Sequence, residues 1–229
     1  HTYWQNPGIV GVPFAFEWTL PPGFSAGPIQ WPAPEHVMMF DYPAYGYTRD
    51  LLLMVTIQPP ADAVPKKVSI GLQASWMACG SSCHPGNHRF ALALPGEAST
   101  SPKASPTASV FEAARKELPV PLQGWSVRVE SAVDAAEIRI RLRALESGGR
   151  SEVAPETCTF FSSDGQVSSR PPQRWSRASD GSLVMVAFRS EYGPKGRSSL
   201  PGVLYCSGGW GPQGTPQYMR VQPPVAATK

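Results

Sequence analysis

Charge is scarce in this sequence, and so are cysteines and long apolar runs. Only 16% of the 229 residues are charged, too few for a solvated helical protein of ordinary surface. The 20 Lys and Arg residues are dispersed, with no run of five or six, so a net charge of +3 marks no polybasic patch. That pattern excludes a nucleic-acid partner. The longest apolar stretches, such as Leu51-Leu52-Leu53-Met54-Val55, fall far below the roughly 18 residues a membrane-crossing helix needs. Direct membrane insertion by this chain is therefore not expected. Four cysteines cannot frame a disulfide-built miniprotein of this length, so each needs its own explanation. There is neither a nucleophile-elbow sequence nor a glycine-rich phosphate loop, which removes the grounds for a hydrolase or a nucleotide-binding protein. The sequence opens at His1 with neither an initiator Met nor a signal peptide, the pattern of a processed product or an excised fragment.

Turn residues and large apolar side chains are abundant. The 21 Gly and 26 Pro punctuate apolar runs, and 41% hydrophobic residues, seven of them Trp, suffice for real cores. This is the composition of a turn-rich β-protein. Phe14, Phe16, Trp18 and Leu20 alternate with smaller or polar residues, the period of a half-buried strand that Pro21-Pro22-Gly23 ends. Residues 27–34 carry Pro28, Pro32 and Pro34 and belong to an edge or a loop. Residues 50–58 read as a strand closed by Pro59-Pro60, and residues 68–78 as another, with Val68, Ile70, Leu72, Ala74 and Trp76 on one face. Its expected partner is residues 89–94, which leaves ten residues, 79–88, as the connection.

Residues 96–107, rich in Ser, Thr, Pro and Ala, form the expected linker. A short helix follows, with Val110, Ala113, Ala114 and Leu118 at helical spacing, Ser109 as its cap, and Pro119 and Pro121 as its stop. Strands are expected at 125–133 and 136–145, where Ile138, Ile140 and Leu142 alternate with Arg139, Arg141 and Arg143. Four more short strands, at 157–161, 183–188, 203–207 and 218–221, complete a second β-sandwich.

Cys79 and Cys83 are the chemically loaded pair, in the run Trp76-Met77-Ala78-Cys79-Gly80-Ser81-Ser82-Cys83-His84-Pro85. Disulfide exchange needs an attacking thiolate and a nearby second thiol to resolve the mixed disulfide. Gly80 and two Ser between the cysteines let the chain fold back to bridging distance. His84, if protonated, would stabilise a thiolate at Cys83. Spacing alone leaves a structural staple open, although so short a loop gains little entropic stabilisation. A zinc set of Cys79, Cys83, His84 and His88 has suitable donors but not the spacing of the common zinc modules; no metal and no cofactor is expected. Cys158 and Cys206, in separate strands of the second half, are expected to form a structural disulfide across that sandwich, with two free buried thiols as the alternative. If both pairs are oxidised, the compartment lies outside the cytosol.

Several motifs agree in order with one family. His1-Thr2-Tyr3-Trp4-Gln5-Asn6-Pro7-Gly8, Ile29-Gln30-Trp31-Pro32-Ala33-Pro34, Tyr45-Gly46-Tyr47 and the 76–85 run together resemble the periplasmic N-terminal region of the DsbD family of thiol:disulfide interchange proteins, in its ScsB-like branch. The similarity is closest over residues 1 to about 95. It implies an all-β protein of two immunoglobulin-like β-sandwich domains, joined by the Ser/Pro-rich linker and the short helix. The expected boundaries are 1–95 for a redox domain, N-terminally truncated relative to the family, 96–121 for linker and helix, and 122–229 for the second sandwich.

The resemblance also implies a function. The chain would be a periplasmic protein-disulfide reductase component, part of an inner-membrane protein or excised from one. Reducing equivalents would pass from a membrane-embedded redox domain of the same family, through this chain, to periplasmic thioredoxin-fold proteins. Cys79 and Cys83 match the family's catalytic pair, with Cys83 the cysteine that forms the mixed disulfide and Cys79 its resolver. Phe40, Tyr42, Tyr45 and Tyr47 resemble the flap that shields the site, and His84 is a candidate modulator of thiol pKa. Two other classes stay open: a copper site built on His1 with His36, His84 or His88, as in polysaccharide monooxygenases, and a structural immunoglobulin-like module with an inert disulfide.

Overall fold

The computed structural model describes residues 1–61, 67–94, 106–145, 152–211 and 216–226, and the fold class is all-β. The first half contributes β1 (Thr2–Gly8), β2 (Ala15–Thr19), β3 (Ser25–Ala26), β4 (Glu35–Met39), β5 (Tyr42–Tyr47), β6 (Ile57–Gln58), β7 (Val68–Cys79) and β8 (Cys83–Leu94). They form two antiparallel three-stranded sheets, β1-β5-β4 and β2-β7-β8, with β3 and β6 as a short separate pair. The half-buried strand at Phe14–Leu20 is present as β2, whose side chains alternate between exposed and half-buried.

The strand expected at residues 50–58 shrinks to β6. Its neighbour, residues 27–34, offers prolines where ladder donors are required. Backbone pairing reduces to the bridge between Gln30 and Met54 and the bond from Gly27 N–H to the Thr56 carbonyl at 2.9 Å. The expected linker lies outside the described residues up to 105. The helix follows as α1 (Ala108–Lys116), with Thr107 and not Ser109 at its N-cap position and Ala114 its buried residue.

The second half adds β9 (Val120–Pro121), β10 (Trp125–Ala132), β11 (Glu137–Ala144), β12 (Cys158–Ser162), β13 (Arg174–Arg177), β14 (Leu183–Phe188), β15 (Gly202–Cys206), β16 (Tyr218–Val221) and β17 (Val225–Ala226). Sheets β13-β14-β11-β10-β17 and β12-β15-β16-β9 enclose one core. The two-faced pattern of β11 holds: Ile138, Ile140 and Leu142 are buried, while Arg141 on the opposite face pairs with Glu130 and Asp180. Trp125 packs edge-on against Trp210 at 5.5 Å, and its indole N–H donates to the Trp210 carbonyl at 2.7 Å.

The expected Cys158–Cys206 bridge is not formed. The two residues are directly opposed on β12 and β15, neighbours in one sheet, and both are free buried thiols. A strand-by-strand periodicity does not say which strands pair, and here pairing places the cysteines side by side within a sheet, not across the sandwich.

The two halves share a buried aromatic cluster. Trp4, Tyr45 and Tyr47 from β1 and β5 pack with Phe161 and Val203 from β12 and β15. Phe161 meets Tyr45 edge-on at 5.0 Å and Trp4 at 6.3 Å. The Trp4 indole N–H finds no hydrogen-bond partner among the described residues, so the Trp4 side chain is held by packing. Polar contacts flank the cluster: Asn6 Nδ2 donates to the Ser162 carbonyl at 2.5 Å, and Ser169 Oγ donates to the Pro43 carbonyl at 3.0 Å. At the end of α1, the Ala33 N–H donates to the Glu117 carbonyl and Arg49 pairs with the Glu117 carboxylate at 2.6 Å. That ion pair is well exposed and contributes little, about 1 kcal/mol at most; the apolar cluster dominates.

Truncating Phe161 to Ala should cost about 3–5 kcal/mol and uncouple the halves. The expected result is a denaturant unfolding curve, followed by Trp fluorescence, that splits into two steps. A single transition at the unaltered midpoint would contradict a shared core.

Candidate redox site

The longest ladder among the described residues ends at the two close cysteines. β7 and β8 pair without a break from Val68 opposite Leu94 to Cys79 opposite Cys83. The connection is therefore three residues, Gly80-Ser81-Ser82, closed by a bond from Gly80 N–H to the Ser82 carbonyl at 2.9 Å. The ten-residue connection expected from sequence is absorbed into β8. Pro85 is tolerated there because β8 is the edge of its sheet. Gly86 is required by its partner, since a Cβ would lie 2.4 Å from the Trp76 indole. Cys79 and Cys83 are joined in a disulfide with their Cα atoms 4.1 Å apart.

The two sulfurs have opposite surroundings. Cys79 is 4% exposed, packed with Tyr3, Val37 and Ala44 and flanked by Val10, Met39 and Met77. Its backbone is anchored to the chain's first residue: Cys79 N–H donates to the His1 carbonyl at 2.9 Å, and the His1 amino group donates to the Cys79 carbonyl at 2.7 Å. Cys83 is exposed. His84 is exposed one register pair further along, with Nε2 2.7 Å from Ser82 Oγ. Beside the hairpin runs an apolar groove of about 390 Å³ whose lining includes Phe14, Leu72, Trp76 and Phe90.

The four expected flap aromatics separate into two pairs. Tyr45 and Tyr47 are each 1% exposed and belong to the cluster shared with the second half, on the side of β5 opposite to Ala44. Burial holds both hydroxyls far above the ordinary tyrosine range, and Tyr47 donates to the Pro32 carbonyl at 2.8 Å. They are core residues. Phe40 and Tyr42 sit at the tip of the β4–β5 hairpin, 66% and 46% exposed. The side chains that cover Cys79 come instead from Tyr3, Val37, Met39 and Ala44. Tyr3 lies in a motif visible in the sequence, but Val37, Met39 and Ala44 carry no signal beyond strand alternation.

The alternative ligand sets weighed from the sequence do not assemble. The sulfurs of Cys79 and Cys83 are bonded to each other and offer no thiolate to zinc. The His1 ring nitrogen lies 3.2 Å from the Tyr3 hydroxyl, and His36 packs against Tyr45 and Phe161. Among the described residues no group of three or more His, Cys, Asp or Glu side chains is placed to hold a metal ion. No helix is long and apolar enough to cross a membrane among them either.

Residues 1–95 match the family model described as thiol:disulfide interchange protein DsbD, N-terminal. No curated protein and no solved structure matches the chain. The matched span closes just after β8 and contains both sheets of the first half, the disulfide and the side chains that bury Cys79. Residues 1–95 are therefore similar to the DsbD N-terminal domain, a thiol:disulfide interchange family, and the Cys79–Cys83 disulfide lies within the matched span.

Proposed function

We propose that Cys79 and Cys83 are the catalytic pair of a periplasmic protein-disulfide reductase component, which accepts electrons from a membrane-embedded redox domain and delivers them to thioredoxin-fold proteins. The observation that carries this reading is the unequal burial of the two sulfurs. An exchange site needs one sulfur that a macromolecular partner reaches and another withheld from it. Cys83 is exposed and Cys79 is 4% exposed, which suits attack through Cys83 and resolution by Cys79.

The reaction runs as follows in the delivering direction. The Cys83 thiolate attacks a partner's disulfide, and one partner sulfur leaves as a thiol after taking up a proton. The Cys79 thiolate then attacks Cys83 Sγ, the mixed disulfide breaks, and the second partner thiol departs. The chain is left in the oxidised form observed here. Acceptance of electrons is the reverse, with the donor's thiolate attacking Cys83 Sγ because Cys79 lies beneath the β4–β5 hairpin. His84, next to Cys83 in sequence, would favour its thiolate when protonated. In this reading residues 1–95 are the redox domain, 96–121 the linker and helix, and 122–229 a second domain carrying no part of the exchange.

A shielding role for the β4–β5 hairpin draws support from its tip. Phe40 has φ 53°, a left-handed conformation costly for a bulky residue and natural for glycine. A strained backbone kept for an exposed aromatic points to a use for that side chain, here contact with the partner or cover over the disulfide. Of the four aromatics that resemble the flap, Phe40 and Tyr42 are the two exposed enough for such a use.

Two experiments test these assignments. Cys79→Ala should hold a thioredoxin-fold partner in a mixed disulfide through Cys83, stable on non-reducing gels, whereas Cys83→Ala should capture none; equal capture by both variants, or by neither, contradicts the roles. Phe40→Gly should stabilise the chain by roughly 1 kcal/mol in denaturant titration. It should also raise the rate at which reduced glutathione opens Cys79–Cys83 by severalfold. An unaltered rate would leave Phe40 without a shielding function. An inert staple is distinguished by potential, because a pair more reducing than about −300 mV would resist the glutathione pool.

A further inference from the structure

Cys158 and Cys206 are nucleophilic groups that the proposed exchange does not use. They are directly opposed on β12 and β15, 6% and 0% exposed, and unbridged. Opposed residues of an antiparallel pair have Cα atoms about 4.5–5.5 Å apart, inside the range of roughly 4.4–6.8 Å that a disulfide spans. The register therefore suits a bridge at this pair.

The two thiols are also chemically unequal. Cys158 Sγ donates to the Ala154 carbonyl at 3.5 Å, an acceptor that keeps its proton in place, whereas the Thr157 hydroxyl, a possible donor, lies 3.1 Å from the Cys206 sulfur. Thr157 Oγ is also 2.8 Å from the Ala154 carbonyl, so its single proton can turn to the sulfur when the sulfur is charged. The neighbouring Cys158 thiol and the Thr157 hydroxyl lower the Cys206 thiol from the ordinary cysteine range, and the proximity of Cys206 together with burial raises Cys158. One member of the pair is thus prepared as a thiolate and the other as a proton donor and resolver.

We propose that Cys158 and Cys206 form a second, independent dithiol–disulfide couple, oxidised by hydroperoxides small enough to reach sulfurs that burial closes to a protein partner. The Cys206 thiolate attacks the terminal peroxide oxygen and the O–O bond breaks. Cys206 becomes a sulfenic acid, and the leaving oxygen departs as water or an alcohol with the proton that Cys206 released. The Cys158 sulfur then attacks Cys206 Sγ, the S–O bond breaks, and the hydroxyl leaves as water with the Cys158 proton. Two thiols and one hydroperoxide give one disulfide, one water and one water or alcohol. The bridge would join the strands that present Phe161 and Val203 to the first half, fixing their register.

The test uses the full chain, reduced, freed of reductant and treated with hydrogen peroxide, then alkylated in denaturant and mapped by peptide mass spectrometry. A 158–206 cross-linked peptide is expected, reopened by dithiothreitol under native conditions, and formed equally when Cys79 and Cys83 are both replaced by Ser. That double variant separates this couple from the exchange site. Cys158→Ser should stop Cys206 at a sulfenic acid captured by dimedone. Thr157→Val should slow cross-linking about fivefold, through loss of one hydrogen bond to the thiolate. The proposal fails if both thiols stay alkylatable, if Cys206 proceeds to sulfinic acid without cross-linking in the unsubstituted chain, or if the bridge resists dithiothreitol. Those outcomes are read on the unsubstituted chain, so a variant that does not fold leaves the test intact.

Discussion

Strand β5 is buried on both faces, and the arrangement around the disulfide depends on it. Ala44 points to the cluster that encloses Cys79, while Tyr45 and Tyr47 point to the cluster shared with β12 and β15. Gly46 lets β1 approach, since a Cβ there would lie 2.0 Å from the Thr2 carbonyl oxygen. β1 in turn carries Tyr3 onto Cys79 and Trp4 into the shared cluster. Adjacent residues on two paired strands thus tie the redox site to the second half through alternation alone. A change on the aromatic face of β5 acts on the backbone that also positions the cover over Cys79.

The β7–β8 hairpin brings the opposite property to the site. Its ladder is continuous to the last pair, yet its outer strand is an exposed edge that begins at Cys83. A rigid strand end presents one sulfur outward, and the β4–β5 hairpin and β1 enclose the other. The short covalent loop contributes little to stability by restricting the unfolded chain, so conformational order here comes from the ladder and from the backbone bonds between Cys79 and His1. At the second pair the two buried sulfurs meet different neighbours, a carbonyl acceptor at Cys158 and the Thr157 hydroxyl at Cys206.

Much of the architecture was legible because strand alternation is a local property. Residues 125–133, 136–145, 183–188 and 218–221 needed no tertiary information to be read as strands, and the cysteine run with its neighbouring motifs carried the family. Ladder length was harder to read. Pro85 and Gly86 look like loop residues, and only an edge position and the opposing Trp76 ring make them strand residues. Conversely, the apolar run at 50–58 looks like a strand, but its partner's prolines deny it a ladder.

Local spacing and motif order were enough for the β class, the positions of most strands, the chemical pair Cys79 and Cys83 and the similarity of residues 1–95 to a thiol:disulfide interchange domain. Tertiary structure alone decided that Cys79 is enclosed and Cys83 open, that Tyr45 and Tyr47 belong to a shared core and not to the cover, and that Cys158 and Cys206 face each other within one sheet as free thiols. These properties depend on which strands pair and which faces meet. Alternation along a strand says that a side chain is on one face or the other, and only the packing of distant segments says what that face touches.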